Sequence, residues 1–124
     1  IVAGAQYLSF SSISRIMAVQ GQSGFAVFDA ETGRQYRYDT KLPLAPNQKA
    51  VWMDGHRLAL ISDGKVNIFD FDGTNIQALS PSHNSFAPFF NRDYTAMITL
   101  APSAENPQKT TVLRTELKVM PVGQ

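Results

Sequence analysis

A chain of 124 residues with 44% hydrophobic and 17% charged side chains carries enough apolar surface to bury the core of one domain, which excludes disorder, collagen and coiled coil. Eleven Lys and Arg stand against ten Asp and Glu, six against four over residues 1–62 and five against six over residues 63–124, so neither half offers a basic field to nucleic acid or an anionic membrane surface. Cysteine is absent, which removes disulfides, thiol catalysis and Cys-ligated zinc, and no apolar run is long enough for a membrane span or a signal segment.

Short runs rich in Val, Ile, Phe and Tyr, broken by Gly, Asp, Asn or Pro, predict strands nearly everywhere. In chain order they are Ala5–Phe10, Arg15–Gln20, Phe25–Asp29, Arg34–Tyr38, Lys49–Met53, Arg57–Ser62, Val66–Phe71, Ile76–Leu79, Phe86–Phe90, Tyr94–Leu100, Thr110–Thr115 and Leu117–Pro121. Ala30-Glu31-Thr32-Gly33, Asp63-Gly64 and Phe71-Asp72-Gly73-Thr74 supply glycine where hairpins need positive φ. Pro43 and Pro46 mark a connector over residues 41–48, and Ser80-Pro81-Ser82-His83-Asn84-Ser85 marks a second. The polar stretch 101–109, with Pro102 and Pro107, lengthens a hairpin. The expected class is all-β.

Three segments repeat. Tyr7-Leu8-Ser9-Phe10 then Arg15-Ile16-Met17-Ala18-Val19 aligns with Ala50-Val51-Trp52-Met53-Asp54-Gly55 then Arg57-Leu58-Ala59-Leu60-Ile61, and with Ala87-Pro88-Phe89-Phe90-Asn91-Arg92-Asp93 then Tyr94-Thr95-Ala96-Met97-Ile98. Phe28-Asp29 and Phe69-Asp70 recur in the third strands. A period of about 40 residues with four strands per repeat is the pattern of β-propeller blades. The expectation is three four-stranded antiparallel blades, over roughly residues 5–40, 47–80 and 85–121, making half of a six-bladed propeller.

The central run Val51-Trp52-Met53-Asp54-Gly55-His56-Arg57-Leu58-Ala59-Leu60-Ile61-Ser62-Asp63-Gly64, followed by Val66-Asn67-Ile68-Phe69-Asp70-Phe71-Asp72-Gly73, resembles the blade of TolB-type and related six-bladed propellers. In the first and third repeats Phe10-Ser11-Ser12-Ile13-Ser14 and Phe90-Asn91-Arg92-Asp93 replace its Asp-Gly turn. No Trp-Asp dipeptide closes a repeat, so the chain does not resemble WD40 proteins. The resemblance implies a bacterial extracytoplasmic or cell-surface protein, read as a non-enzymatic binding or scaffolding module that meets a protein partner. Three blades fall short of the roughly four to eight that close a ring, so a homodimer completing six blades is expected, the rival being further blades of a longer chain. The alternative that the resemblance implies is a regulatory or substrate-gating segment of a larger hydrolase whose catalytic domain is absent.

Residue chemistry points the same way. No Gly-x-Ser-x-Gly elbow accompanies His56 or His83, and two histidines without cysteine form no transition-metal pattern, so no catalytic residue, cofactor or metal site is expected. Asp70-Phe71-Asp72-Gly73 resembles the start of a calcium loop but lacks a third acidic ligand and a distal Glu, and reads as a hairpin turn. Asp54 and Asp93 take similar places after the first strands of their repeats, where turn roles outweigh a general acid/base pair. Phe10, Trp52, Phe89 and Phe90 recur at first strands, and Phe28, Phe69 and Phe71 at third strands, as packing between blades demands. Trp52 or Phe90 would serve a ligand-stacking platform. Arg34 and Arg37 alternate with Tyr36 and Tyr38 on an outer strand, the arginines assigned to one face and the tyrosines to the other, either as a charged edge or as a partner surface. Phe10, Met17, Phe89 and Met97 are the apolar residues expected at the open ends of a half-ring.

Overall fold

A computed structural model of the chain describes residues 4–11, 15–44, 48–83, 86–91, 93 and 95–117. Among them there is no helix, and eleven strands form three antiparallel sheets in chain order. The first sheet is β1 (Tyr7–Phe10), β2 (Ile16–Gln20), β3 (Gly24–Asp29) and β4 (Gln35–Asp39). The second is β5 (Val51–Trp52), β6 (Arg57–Ser62), β7 (Lys65–Asp70) and β8 (Gln77–Pro81), and the third is β9 (Phe89–Phe90), β10 (Ala96–Pro102) and β11 (Thr110–Glu116). Each is a meander in which sequential strands are neighbours. The remaining expected strand, Leu117–Pro121, lies outside the described residues but for Leu117, which is not in a strand.

Tight turns fix the meanders. Asp63 and Gly64, with φ of 55° and 72°, join β6 to β7 as a two-residue loop with positive φ at both central positions, whose twist matches that of the flanking strands. Gly73, at φ 86°, stands where a Cβ would lie 2.7 Å from the Tyr38 ring. Both conformation and space therefore demand glycine there. The Tyr38 hydroxyl donates to the Phe71 carbonyl at 3.0 Å. Burial, with the Asp72 charge second, holds that phenol well above the ordinary tyrosine value, so it remains a donor. The 101–109 stretch closes on itself: Ser103 N–H reaches the Lys109 carbonyl at 2.8 Å and Lys109 N–H the Asn106 carbonyl at 2.9 Å. Replacing Ala104–Gln108 by Asn-Gly is therefore expected to leave the melting temperature within a few degrees of the parent, since loop length enters closure entropy only logarithmically; a large drop in a thermal melt would mean the loop packs elsewhere.

The sheets stack face on face. Ile16, Ala18, Phe25 and Val27 of the first sheet form one buried cluster with Leu58, Leu60 and Phe69 of the second. Ala59, Ile61, Val66 and Ile68, from the opposite face of the second sheet, form another with Met97 of the third. The middle sheet is thus covered on both faces, which is why β6 and β7 are apolar at consecutive positions rather than alternate ones. Gln20 ties the first sheet to the next: its Nε2 donates to the Gln48 carbonyl at 2.7 Å and its Oε1 accepts the Ala50 N–H at 2.8 Å.

The pairing register defines which positions correspond between sheets. Ser11 N–H to Ile16 carbonyl, Met53 N–H to Arg57 carbonyl and Asn91 N–H to Ala96 carbonyl close the same turn, at 2.9, 2.9 and 3.1 Å. Cross-strand rows follow: Phe10–Met17–Phe28, Trp52–Leu58–Phe69 and Phe90–Met97–Thr115. On the opposite faces the rows are Ser9–Ala18–Val27, Val51–Ala59–Ile68 and Phe89–Ile98–Arg114. This corrects the alignment drawn from sequence. Ile16 matches Arg57 and not Leu58, because Ile16 and Leu58 face each other across one interface, and a one-residue slip moves a strand's side chains to the other face.

Candidate functional site

Corresponding rows have unequal fates. In the second and third sheets, the side chains facing the preceding sheet are covered: Leu58 and Met97 are both 0% exposed and Phe69 is 1% exposed, while Trp52 and Phe90 pack against the two core clusters. In the first sheet the same positions hold Phe10, Met17 and Phe28, and among the described residues no sheet lies before them. Phe10 is 68% exposed and Met17 and Phe28 are half-buried. Leu8, Val19 and Ala26 continue this face in the neighbouring row, which ends at Arg37.

The third sheet has the mirror-image imbalance. Its face toward the second sheet carries buried Met97, Thr99 and Ala101, with the Thr99 hydroxyl donating to the Pro81 carbonyl at 3.3 Å. Its other face carries Phe89, Ile98, Leu100 and Val112, of which Phe89 is 68% and Val112 65% exposed. Arg114 lies in the same face and pairs with Glu116 at 2.6 Å, an exposed ion pair that contributes little to stability. Among the described residues, two largely apolar sheet faces therefore stand uncovered at opposite ends of the three-sheet stack, each a contiguous patch and not a scatter of single exposed side chains.

The first of them holds a shallow groove of about 500 Å³ over Met17, Val19, Ala26, Phe28, Gln35 and Arg37. Of Trp52, Phe90, Arg34 and Arg37, the candidate partner or ligand residues, Arg37 is the one that lines this groove, beside Met17 and Phe28, which the repeat pattern also names. Arg34 precedes β4, so its N–H meets the Thr32 hydroxyl at 3.3 Å in the hairpin turn. The face assignment of the two arginines was mistaken: they stand three residues apart, and period two cannot place such a pair together. Tyr36 and Tyr38 do share a face, the covered one, where Tyr36 meets Phe71 edge-on at 5.3 Å and Tyr38 meets Phe25 at 5.6 Å. Met97, expected at an open end, is in the second core.

Trp52 is half-buried over the first core, with its indole Nε1 donating to Ser9 Oγ at 3.1 Å. Trp52→Ala is expected to cost about 3 kcal/mol, the lower end for a large aromatic because part of the ring is already wet. Native fluorescence should be blue-shifted from free indole, and emission at the solvated position would show that the ring is not seated there.

The remaining candidates have local roles. Asp54 Oδ1 accepts the N–H groups of His56 and Arg57, both at 2.8 Å, and Oδ2 holds the Arg57 guanidinium at 2.7 Å. In the third sheet this role falls to Asn91, whose Oδ1 accepts Thr95 and Ala96 N–H at 2.8 and 3.0 Å, and not to Asp93 as the sequence alignment suggested. Asp72 Oδ1 accepts the Thr74 hydroxyl at 2.6 Å and its N–H at 3.1 Å, and Asp70 Oδ2 accepts from Asn75 at 2.6 Å. Their carboxylates are engaged in turn geometry. His83 Nε2 lies 3.1 Å from the Thr110 hydroxyl.

Sequence reasoning named Phe10, Met17 and Phe89 among the end residues but missed Leu8, Val19, Leu100 and Val112. Strands apolar on both faces, beside neighbours that cover one face only, were the available signal. Comparison with protein-family models and with curated proteins finds no match.

Proposed function

We propose that the three sheets are blades of a β-propeller and that the chain is a non-enzymatic binding or scaffolding module, completed to a six-bladed ring by a second copy. The observation that carries this reading is the unequal fate of corresponding rows: Trp52–Leu58–Phe69 and Phe90–Met97 are covered by a preceding sheet, and the apolar row Phe10–Met17–Phe28 is not. At the other end Ile98, Leu100 and Val112 stand where Ala59, Ile61 and Val66 are buried. Propellers close with about four to eight blades. A stack of three that ends on two such faces supports closure by another three.

Two copies related by a two-fold axis cover all four open faces at once, and the assembly stops there instead of growing into a filament. A patch three strands wide and five residues long projects to about 250 Å² at the usual strand spacing and rise. Four such faces give about 1,000 Å², where specific interfaces begin. The groove beneath Arg37 would then be filled, and Arg34, in the β3–β4 turn, would stay on the rim as a candidate partner contact. Sedimentation equilibrium at micromolar concentration is expected to return twice the 13.7 kDa chain mass. A single-chain mass with an intact far-UV circular dichroism spectrum would overturn the two-copy ring.

A further inference from the structure

Resting on that two-copy reading, we infer which residues meet at its junction: the open face of the third sheet of one copy packs on the open face of the first sheet of the other, with Phe89 against Phe10, Ile98 and Leu100 against Met17 and Val19, and Val112 against Phe28. The same kind of junction occurs twice within the chain, and the register transfers it. Between the first and second sheets, Ser9 meets Trp52 through the 3.1 Å hydrogen bond, and Phe25 meets Phe69 with ring centroids 5.6 Å apart. Between the second and third sheets, Val51 and Phe90 both pack against the second buried cluster.

The positions corresponding to Ser9 and Val51 on the third sheet are held by Phe89, and those corresponding to Trp52 and Phe90 on the first sheet by Phe10. Phe25 corresponds to Val112 and Phe69 to Phe28. The two most exposed phenylalanines of the described chain, both 68% exposed, are thereby brought together. Size complements size: Ser9 sits against the indole at the first junction, and a pair of phenyl rings fills the third, where Ala18 and Gln20 give way to Ile98 and Leu100. The occupant is a second copy of this chain because the complementary face is on the chain itself, at its other end. The pairing is head to tail and not face to like face. Head-to-tail pairing repeats the junctions within the chain, where a Ser9–Ala18–Val27 face meets a Trp52–Leu58–Phe69 face and a Val51–Ala59–Ile68 face meets a Phe90–Met97 face.

The chain has no cysteine, so single cysteines report contacts without background. Chains carrying Phe10→Cys and Phe89→Cys are mixed, refolded together and treated with a bismaleimide whose reach matches the roughly 10 Å between packed sheets. In the mixed ring one junction carries both cysteines and the other is native. A covalent dimer is expected from the mixture and none from either variant alone; the pair Phe28→Cys with Val112→Cys is expected to behave alike. The doubly substituted chain should yield covalent dimer without a ladder of higher species. Self-crosslinking of Phe10→Cys alone, or a ladder, in a protein that sediments as a dimer would overturn this junction and leave the two-copy reading standing. Absence of any crosslink together with a single-chain mass would overturn both.

Discussion

Phe69→Ala is expected to destabilise the fold by about 3–5 kcal/mol, the range for truncating a large buried aromatic. The ring is 1% exposed and sits between the first two sheets, 5.6 Å from the Phe25 ring and in one cluster with Leu58, Leu60 and Val27. Small domains carry only about 5–15 kcal/mol in total, so this one change removes a large share of it. The loss has two parts, the transfer of the phenyl group and the void left between sheets that the hairpins hold in place. Urea denaturation followed by far-UV circular dichroism reads it directly. A change below about 1 kcal/mol would mean that the first two sheets do not pack through this ring.

Phe28→Glu tests the corresponding position on the first sheet, and the result should be different in kind. Phe28 is half-buried and points into the open groove beside Met17 and Gln35. A carboxylate there stays hydrated in the single chain, and fold stability measured at high dilution should fall by no more than about 1 kcal/mol. In a closed ring the same carboxylate is taken out of water at both junctions, a desolvation of several kcal/mol that Arg37, in the neighbouring row of the same face, offsets only in part. The dissociation constant is expected to rise at least about a thousandfold, roughly 4 kcal/mol. Because pairing stabilises by mass action, the variant should also lose any dependence of its melting temperature on protein concentration. Retention of the dimer by Phe28→Glu at micromolar concentration would show that this face is not the one covered.

Much of the architecture was legible because turns and strand composition are local properties. Arg57–Ser62 is the observed β6 without adjustment, and Asp63-Gly64 joins it to β7. Edge strands were overread: Lys49–Met53 shortens to Val51–Trp52 and Phe86–Phe90 to Phe89–Phe90, since pairing and not β-propensity sets where a ladder stops. The alignment of repeats slipped by one residue at Ile16 because Leu58-Ala59-Leu60-Ile61 is apolar throughout. A sheet covered on both faces erases the alternation that would reveal facing. The placement of Met97 at an open end failed for the same reason, and its neighbour Ile98 holds that place instead. Phe10, Met17 and Phe89 were legible as end residues from their places in the repeat, whereas Leu8, Val19, Leu100 and Val112, which complete the two uncovered faces, are residue types that read as core in any sequence. Only the three-dimensional count of which faces are covered separates an uncovered face from a core.

Small-angle X-ray scattering of the purified chain reports mass and shape together, and so tests the two-copy ring most directly. Two chains of 124 residues closed into one compact body should have a radius of gyration of about 18 Å, against about 14 Å for one compact chain. The ring requires twice the 13.7 kDa chain mass at the first value. A single-chain mass at about 14 Å, or a two-chain mass with a radius well above 18 Å and an elongated distance distribution, would contradict it.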